Sequence, residues 1–352
     1  MSQPATVFVG MSGGVDSSVA AMLLVEQGYN VVGVYMKNWS QDLPGMKCPW
    51  ADDLADAKRV AVKLGIPFEV WDFEKAYREK VVDYMLAEFR KGNTPNPDVM
   101  CNQEIKFKLF YEKAMAKGAD FIATGHYART GRGLLRAVDE NKDQTYFLYR
   151  ISDEALEHTI FPIGGMLKPE VKKLAAEKGL HNAYKKESMG VCFVGEVGMR
   201  DFLKEYIDVQ PGEIREMETE KVLGYHDGAV FYTIGQRHGL YLSGEKGKIN
   251  DGMPYYVVAK DIEKNIVYVS KNLNDAHIWA TELKLTDVVM RGGAGGQMMS
   301  KILVRLRHRA PLIPASFDGE TLHFENAVKR PASGQSAVLY DGEICLGGGI
   351  IC

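Results

Sequence analysis

Residues Ser12-Gly13-Gly14-Val15-Asp16-Ser17 stand between an apolar run over residues 6–10 and a segment of helical spacing over 15–27, which Gly28 ends. A strand that turns into a helix through two adjacent glycines leaves few architectures open, because the backbone there must approach another backbone or a ligand closely. The N–H groups of such a turn and of the helix start point at one spot, which suits a phosphate. Taken alone, a Gly-Gly turn fits equally an ordinary capped helix, with Ser12 or Asp16 as the cap. No Lys follows the glycines, so this is not the Lys-containing phosphate loop, and the spacing does not fit the dinucleotide fingerprint.

The strand-then-helix pattern recurs. Residues 30–36, 68–71 and 120–124 read as further apolar strands, and 52–64, 73–90 and 101–117 as helices. The Gly/Asn/Pro-rich stretch 92–97 reads as loop, a helix follows Pro169 and stops before Gly179, and 185–198 reads as loop. Alternation of this kind predicts a parallel sheet covered on both faces, with ligands at the carboxyl ends of its strands. From Gly212 onward short β-rich runs replace it: 230–233, 255–258, 266–269, 302–308, 321–324 and 337–340. A chain of 352 residues is too long for one ordinary core. The expected architecture is an α/β, Rossmann-like parallel-sheet domain over 1–200, a small central β-rich domain over 201–272 and a C-terminal β-barrel-like domain over 273–352.

Charge narrows the function classes. With 43 basic and 46 acidic residues the net charge is −3, so a nucleic-acid partner requires a local basic surface. Residues 301–309, KILVRLRHR, hold no acid. Read as a strand, they place Lys301, Arg305, Arg307 and Arg309 on one face. That face is either a phosphate-contacting ridge or a set of arginines paired with acids such as Glu320 or Glu325. No run reaches the roughly 20 apolar residues of a membrane-spanning helix, and the N-terminus shows neither a secretory signal nor an Arg-rich presequence. Five sparse cysteines without a C-x-x-C argue against a disulfide framework or a structural zinc site, and for a reducing, cytoplasmic setting.

Two of those cysteines stand in distinctive surroundings. Cys101 follows Asn96-Pro97-Asp98-Val99-Met100 at the start of a predicted helix, where the helix field favours thiolate. Asp98 is placed to cap that helix or to exchange protons. Cys101 is equally readable as a small buried apolar residue. Cys192 lies in Ser188-Met189-Gly190-Val191-Cys192-Phe193, a Gly-flanked loop with little core to enter. Cys345 reads as core, Cys352 as a frayed end, and Cys48 has no assigned role.

The loop string SGGVDS after an apolar strand matches the loop of ATP-pyrophosphatase enzymes. With TPNPDVMCNQEIKF, ATGHYAR, KDQTYFLY, ESMGVCFVG, FYTIGQRHGL and SGQSAVLYDGEICLGGG it makes the chain resemble the tRNA-specific 2-thiouridylase (MnmA-type) family over residues 10–349. The resemblance implies adenylation of O2 of a wobble uridine in tRNA by ATP, with Mg2+, followed by sulfur transfer to C2 from a persulfide. It implies a persulfide on Cys192, Cys101 as the second catalytic thiol, a Cys101–Cys192 disulfide at the end of each turnover, and Asp98 as acid/base beside a base pocket shaped by Asn96 and Pro97. The implied ATP site is Gly10, Met11, Ser12, Gly13, Gly14, Val15, Asp16, Ser17, Met36 and Gly125, with Asp16 a plausible metal ligand directly or through water; no metal ligand is assigned.

Implied tRNA contacts are Asn96, Pro97, Asp98, His126, Lys142, Asp143, Gln144, Arg305, Leu306 and Gln335. Relatives often carry Tyr where this chain has Leu306, and Leu cannot stack on a base as an aromatic does. The resemblance further implies tRNAs for Lys, Glu and Gln as substrates and a persulfide donor such as a cysteine desulfurase or sulfur-relay protein. Without it, His126 reads as a satisfied histidine at a strand end, and Lys142 to Gln144 as a solvated helix start. Rival classes are an amide-forming synthetase with the same loop, which has no need of paired cysteines, and a non-catalytic RNA-binding protein.

Overall fold

The computed structural model describes residues 3–42, 48–186, 198–240, 242, 253–272, 277–293 and 298–352. Strands β1 (Thr6–Gly10), β2 (Asn30–Lys37), β3 (Phe68–Asp72), β4 (Phe121–Thr124) and, after an intervening hairpin, β7 (Thr159–Ile160) form one parallel sheet in the order β3-β2-β1-β4-β7. Alternate residues of β1 face opposite layers. Val7 and Val9 pack with Val19 and Ala20 of helix α1 (Val15–Glu26), with Ala57 and Val60 of helix α2 (Trp50–Leu64), and with Val171 and Ala175 of the helix Lys168–Glu177. Phe8 faces the other layer with Trp71, Phe110 and Ile122. Because both faces are covered, the strands read as unbroken apolar runs.

The chain winds from β1 to β2 to β3 on one side and then crosses to β4 on the other, so the sheet reverses direction between β1 and β4. Crevices at such a reversal, at the carboxyl ends of the strands, are where open α/β sheets take ligands. The 12–17 loop leaves β1 at that point and Gly125 leaves β4 beside it.

The predicted helix at 101–117 begins earlier. It runs without a break through Pro97–Met100, a π-helical stretch Cys101–Leu109 and Phe110–Ala116. Asn96 caps it, its Oδ1 accepting from the N–H groups of Asp98 (3.2 Å) and Val99 (3.4 Å), and Pro97 opens the first turn. The cap is therefore Asn96 and not Asp98. A second π-helical stretch, Arg78–Val82, interrupts the helix expected over 73–90.

In the second half β8 (Gly212–Glu216), β9 (Val222–His226), β10 (Tyr256–Asp261) and β11 (Ile266–Ser270) form a sheet in the order β10-β11-β8-β9 around Ile214, Tyr232, Val257 and Val267. The expected strand at 230–233 is instead a 3-10 turn, Ala229–Phe231, entered through Gly228. Beyond it, β12 (Trp279–Met290), β13 (Met299–Arg305), β14 (Ile313–Phe317), β15 (Thr321–Lys329), β16 (Ser336–Asp341) and β17 (Ile344–Ile351) close into a six-stranded antiparallel barrel, β12 pairing both β15 and β17. The strand expected over 302–308 ends at Arg305, so residues 306–309 do not continue its alternation.

A hairpin of the first domain, β5 (Arg129–Gly131) and β6 (Gly133–Leu135), adds to the outside of this barrel, Leu135 pairing with Ile344. The Arg136 N–H donates to Glu343 O at 2.9 Å beside it. One apolar cluster runs from Trp71 and Phe110 through Tyr146 and Tyr149 to Val338, Tyr340 and Cys345 of the barrel.

Candidate active site

Helix α1 starts at the carboxyl end of β1 with Gly14 in the capping position and no side-chain cap. Its first N–H groups therefore face the crevice with no side chain from the cap position to satisfy them. Around them the loop is tightly braced. Ser17 Oγ donates to Gly14 O (3.1 Å) and accepts from the Ser12 N–H (3.2 Å), and Ser18 Oγ donates to Gly14 O (2.9 Å). Asn182, buried, donates from Nδ2 to Gly13 O and Ser18 Oγ, both at 2.9 Å. Gly13 has φ +79°, and a Cβ there would meet Asp53 O at 2.3 Å. A Cβ on Gly125 would meet the backbone N of Ser17 at 2.5 Å. Met36, at the end of β2, lays its Cε over Gly10. Val15 and Met11 turn into the core, leaving only their backbone to the crevice. The expected nucleotide residues thus lie together at the sheet's reversal.

Two residues that sequence reasoning missed join this loop. Lys168 Nζ lies 2.7 Å from both carboxylate oxygens of Asp16, and Tyr127 donates its hydroxyl to Asp16 Oδ1 at 2.9 Å. Lys168 opens a helix 152 positions after Asp16, so no local pattern pairs them. Asp16 keeps part of its carboxylate exposed. That fits Mg2+, which takes one or two carboxylates and completes its shell with water and phosphate oxygens. Among the described residues no cluster of three His, Cys, Asp or Glu forms a self-sufficient metal site.

Cys101 is 3% exposed and sits in the second turn of its helix, at the start of the π-helical stretch. The helix field fades within the first turn, so the expectation of a thiol at the helix start does not hold. Asp98 occupies that first turn. Burial holds its carboxyl above the ordinary range, against the pull of the Lys106 ammonium. Lys106 Nζ also approaches His126 Nε2 at 3.4 Å, and His126 Nδ1 meets Thr124 Oγ1 at 2.8 Å. Burial, with Lys106 adding to it, holds His126 well below its ordinary pKa, so the ring is neutral. Gly125 against Ser17, His126 against Lys106, and Lys106 facing Asp98 join the loop crevice to the helix of Cys101. Lys106, eight positions after Asp98 on the same helix, is a third residue that sequence reasoning missed. Cys192 lies outside the described residues. Asn182 on the loop, and Lys185, whose Nζ meets Asp53 (2.8 Å) and Asp56 (2.6 Å) of α2, hold the chain that leads toward it.

Three family profiles match in succession: a tRNA methyl transferase HUP domain over residues 5–196, a tRNA methyl transferase PRC-barrel domain over 200–271, and an aminomethyltransferase beta-barrel domain over 280–351. The tRNA-specific 2-thiouridylase MnmA of Pediococcus pentosaceus is 46% identical over 98% of this chain and 94% of its own length. The chain belongs to the tRNA-specific 2-thiouridylase family. The MnmA of Bacillus licheniformis is equally similar, at 46% identity over the same shares. A solved 4-thiouridine synthetase–RNA complex with bound ATP matches 57% of this chain and 50% of that chain at 18% identity and a TM-score of 0.36, a likeness too weak to bear on function.

The positions expected to touch tRNA in this 2-thiouridylase family member fall into two groups. Gln335 stands beside Asn96 and Pro97: its Nε2 donates to Thr94 O at 2.6 Å, and the Thr94 N–H donates to Ser333 O at 2.7 Å. Gly92, two residues earlier, meets Ile262 of the central domain. The loop that leads to Asp98 and Cys101 is thus held where all three domains meet. The second group is largely internal. Asp143 is fully buried, accepts from the Ala137 N–H (3.1 Å) and pairs with Arg305 (2.7 Å). Gln144 exchanges hydrogen bonds with the Tyr127 backbone, and Leu306 is buried in the barrel. This corrects the solvated helix start and the basic ridge: Arg305 pairs with Asp143, not with Glu320 or Glu325. Arg307 and Arg309 are exposed, the latter donating from Nε to Asn141 O at 3.0 Å.

Proposed function

We propose that this chain uses ATP and Mg2+ to activate O2 of the wobble uridine of tRNA and replaces that oxygen with sulfur, releasing AMP and pyrophosphate. The observation that carries the reading is the continuous path from the 12–17 loop through Gly125, His126 and Lys106 to Asp98 and the helix of Cys101. A nucleotide held at α1 and a base beside Asn96, Pro97 and Asp98 then react across one short span. Uridine C2 is a poor electrophile, and adenylation makes its oxygen a leaving group. Asp16 would hold Mg2+ directly or through water, and the ion would neutralise charge on the phosphates.

A persulfide on Cys192 attacks C2 with its terminal sulfur, and AMP leaves. Cys101 thiolate then attacks Cys192 Sγ, and the S–S electrons pass to the new thiouridine sulfur. An external thiol reductant, itself oxidised to a disulfide, reduces the resulting Cys101–Cys192 disulfide to two thiols, and a cysteine desulfurase or sulfur-relay protein reloads Cys192. Asp98, desolvated beside Cys101, exchanges protons in these steps. The tRNAs for Lys, Glu and Gln are the proposed substrates, in the cytoplasm.

Mass spectrometry of tRNA nucleosides after incubation with ATP, Mg2+ and a persulfide source tests this. 2-Thiouridine at the wobble position, with AMP and pyrophosphate as co-products, is the expected result. ADP and phosphate as products, or unmodified tRNA, would overturn it.

A further inference from the structure

Both residues that follow Cys101 are held by one short segment. Asn102, buried, donates from Nδ2 to Phe147 O at 3.2 Å, and Gln103 Oε1 accepts from Nε of Arg150. The Gln103 amide nitrogen donates to Glu104 Oε1 at 2.8 Å, so this side chain is fixed at both ends. These residues open the π-helical stretch Cys101–Leu109, a wide turn that is rare in proteins and recurs at functional sites. The segment holding them is itself rooted in the barrel. Tyr146 donates its hydroxyl to Ser336 O at 3.0 Å, and the Tyr149 hydroxyl meets Ser336 Oγ at 3.2 Å. Arg150 makes the remaining tie: its Nη1 donates to Asp287 O at 2.8 Å and its Nη2 to Asp287 Oδ2 at 2.7 Å. Asp287 has φ +48°, and the register of β12 against β17 shifts between Thr286 and Val289. A bulge of this kind re-aims a side chain, and a left-handed residue other than glycine persists only where its surroundings fix it. Here carbonyl and carboxylate both turn onto one guanidinium. Arg150 is 9% exposed but the Asp287 side chain is 61% exposed, and an ion pair so open to water on one side adds little stability. What the rigid plane of the guanidinium does supply is a fixed distance from the barrel to the helix of Cys101.

We infer that Arg150 is a positioning residue for Cys101, locking the π-helical register of the thiol's helix, through Gln103, to the Asp287 bulge of the barrel. The inference rests on the reading of Cys101 as the second thiol and deepens it. The step that needs this register is the resolving one. After the persulfide has attacked, uridine C2 is joined to Cys192 through two sulfurs. Cys101 loses its proton to solvent, and its thiolate forms a bond to Cys192 Sγ. The bond from Cys192 Sγ to the sulfur on C2 breaks, and its electron pair leaves on the thiouridine. A thiolate must approach along the line of the bond that it breaks. A turn of the helix that slips from π to α swings Cys101 off that line without touching the nucleotide crevice.

The test is a single turnover of the persulfide-loaded full chain with ATP, Mg2+ and tRNA, without reductant, for wild type, Arg150→Met, Gln103→Leu and the double variant. Release of 2-thiouridine should slow by about tenfold or more in each single variant, while ATP and tRNA affinities stay within about twofold. The disulfide-linked protein–tRNA adduct should accumulate, visible by mass spectrometry, and added dithiothreitol should discharge it. The double variant should be no slower than the worse single one, because both changes cut the same link. Should Arg150→Met disturb folding, Gln103→Leu and Asp287→Asn carry the comparison, since each loosens the link at one end. Unchanged release would overturn the inference. So would slow release without adduct, or additive losses in the double variant, either of which makes Arg150 a brace between domains. Wild-type protein that forms neither adduct nor 2-thiouridine would instead sink the thiolation reading itself.

Discussion

The guanidinium of Arg305 lies 2.7 Å from the carboxylate of Asp143, with 6% and 0% of the two side chains exposed. Thr145 Oγ1 donates to the same carboxylate and meets the Tyr340 hydroxyl at 3.1 Å. The pair fastens the first domain to the barrel.

Arg305→Ala strands a buried carboxylate, which costs about 3–5 kcal/mol. Thermal or denaturant unfolding should show that loss. Arg307→Ala should leave stability within about 0.5 kcal/mol. If Arg307 meets a tRNA phosphate, its removal lowers the salt slope of tRNA binding by about one. A stable Arg305→Ala protein would mean that the interface relaxes around the lost pair.

Gly125→Ala should abolish ATP binding, because the new Cβ would stand 2.5 Å from the backbone N of Ser17 and backbone cannot yield as a side chain can. Gly65→Ala is the control. Its site has open space but φ +67°, so it should cost about 1 kcal/mol of stability and leave ATP affinity unchanged. Isothermal titration of both variants decides the matter.

Asp98 has a raised pKa in the folded chain. A carboxyl with a raised folded pKa contributes stability that is full below its unfolded value and is lost as pH rises through the folded value. Asp98→Asn should therefore be more stable than wild type near pH 7, and the gain should shrink toward pH 4. If Asp98 acts as a base, the acid limb of the pH–rate profile lies above the ordinary carboxylate range and disappears in Asp98→Asn. Equal stability at both pH values would contradict the desolvated carboxylate.

Cys192→Ser and Cys101→Ser should each stop thiolation while ATP binding persists, as followed by nucleoside mass spectrometry and titration. Cys345→Ser should instead leave thiolation intact and lower stability by about 1–3 kcal/mol, because a hydroxyl enters an apolar site. Burial pushes the Cys345 thiol up to about 11, so alkylating reagents should spare it in the native protein.

Local signals carried the reading of the sheet. β1, β2, β3 and β4 are apolar runs closed by turn residues, and they lie where the pattern puts them. The loop at 12–17 is equally local. Lys168 and Tyr127 were hidden because Asp16 is 152 and 111 positions away from them, and Lys106 because its approach to His126 crosses 20 positions. The basic run at 301–309 misled because alternation presumes a continuing strand, whereas β13 stops at Arg305 and the partner acid stands 162 positions away. Asn96 was legible as a cap in principle, since Asn before Pro is a common helix opening, but the cysteine drew the boundary four residues late.

The hairpin β5–β6 and the strand β17 meet at Leu135 and Ile344, separated by 209 positions of chain. A ribosome adding about 5–20 residues per second needs roughly 10–40 seconds to cover that interval. Throughout it the hairpin's outer edge has no partner, as an unpaired edge open to other chains. The first domain is therefore synthesised early and sealed late. A pause in translation between the two segments prolongs the exposed interval, and a chaperone that shields β-edges has its longest opportunity there.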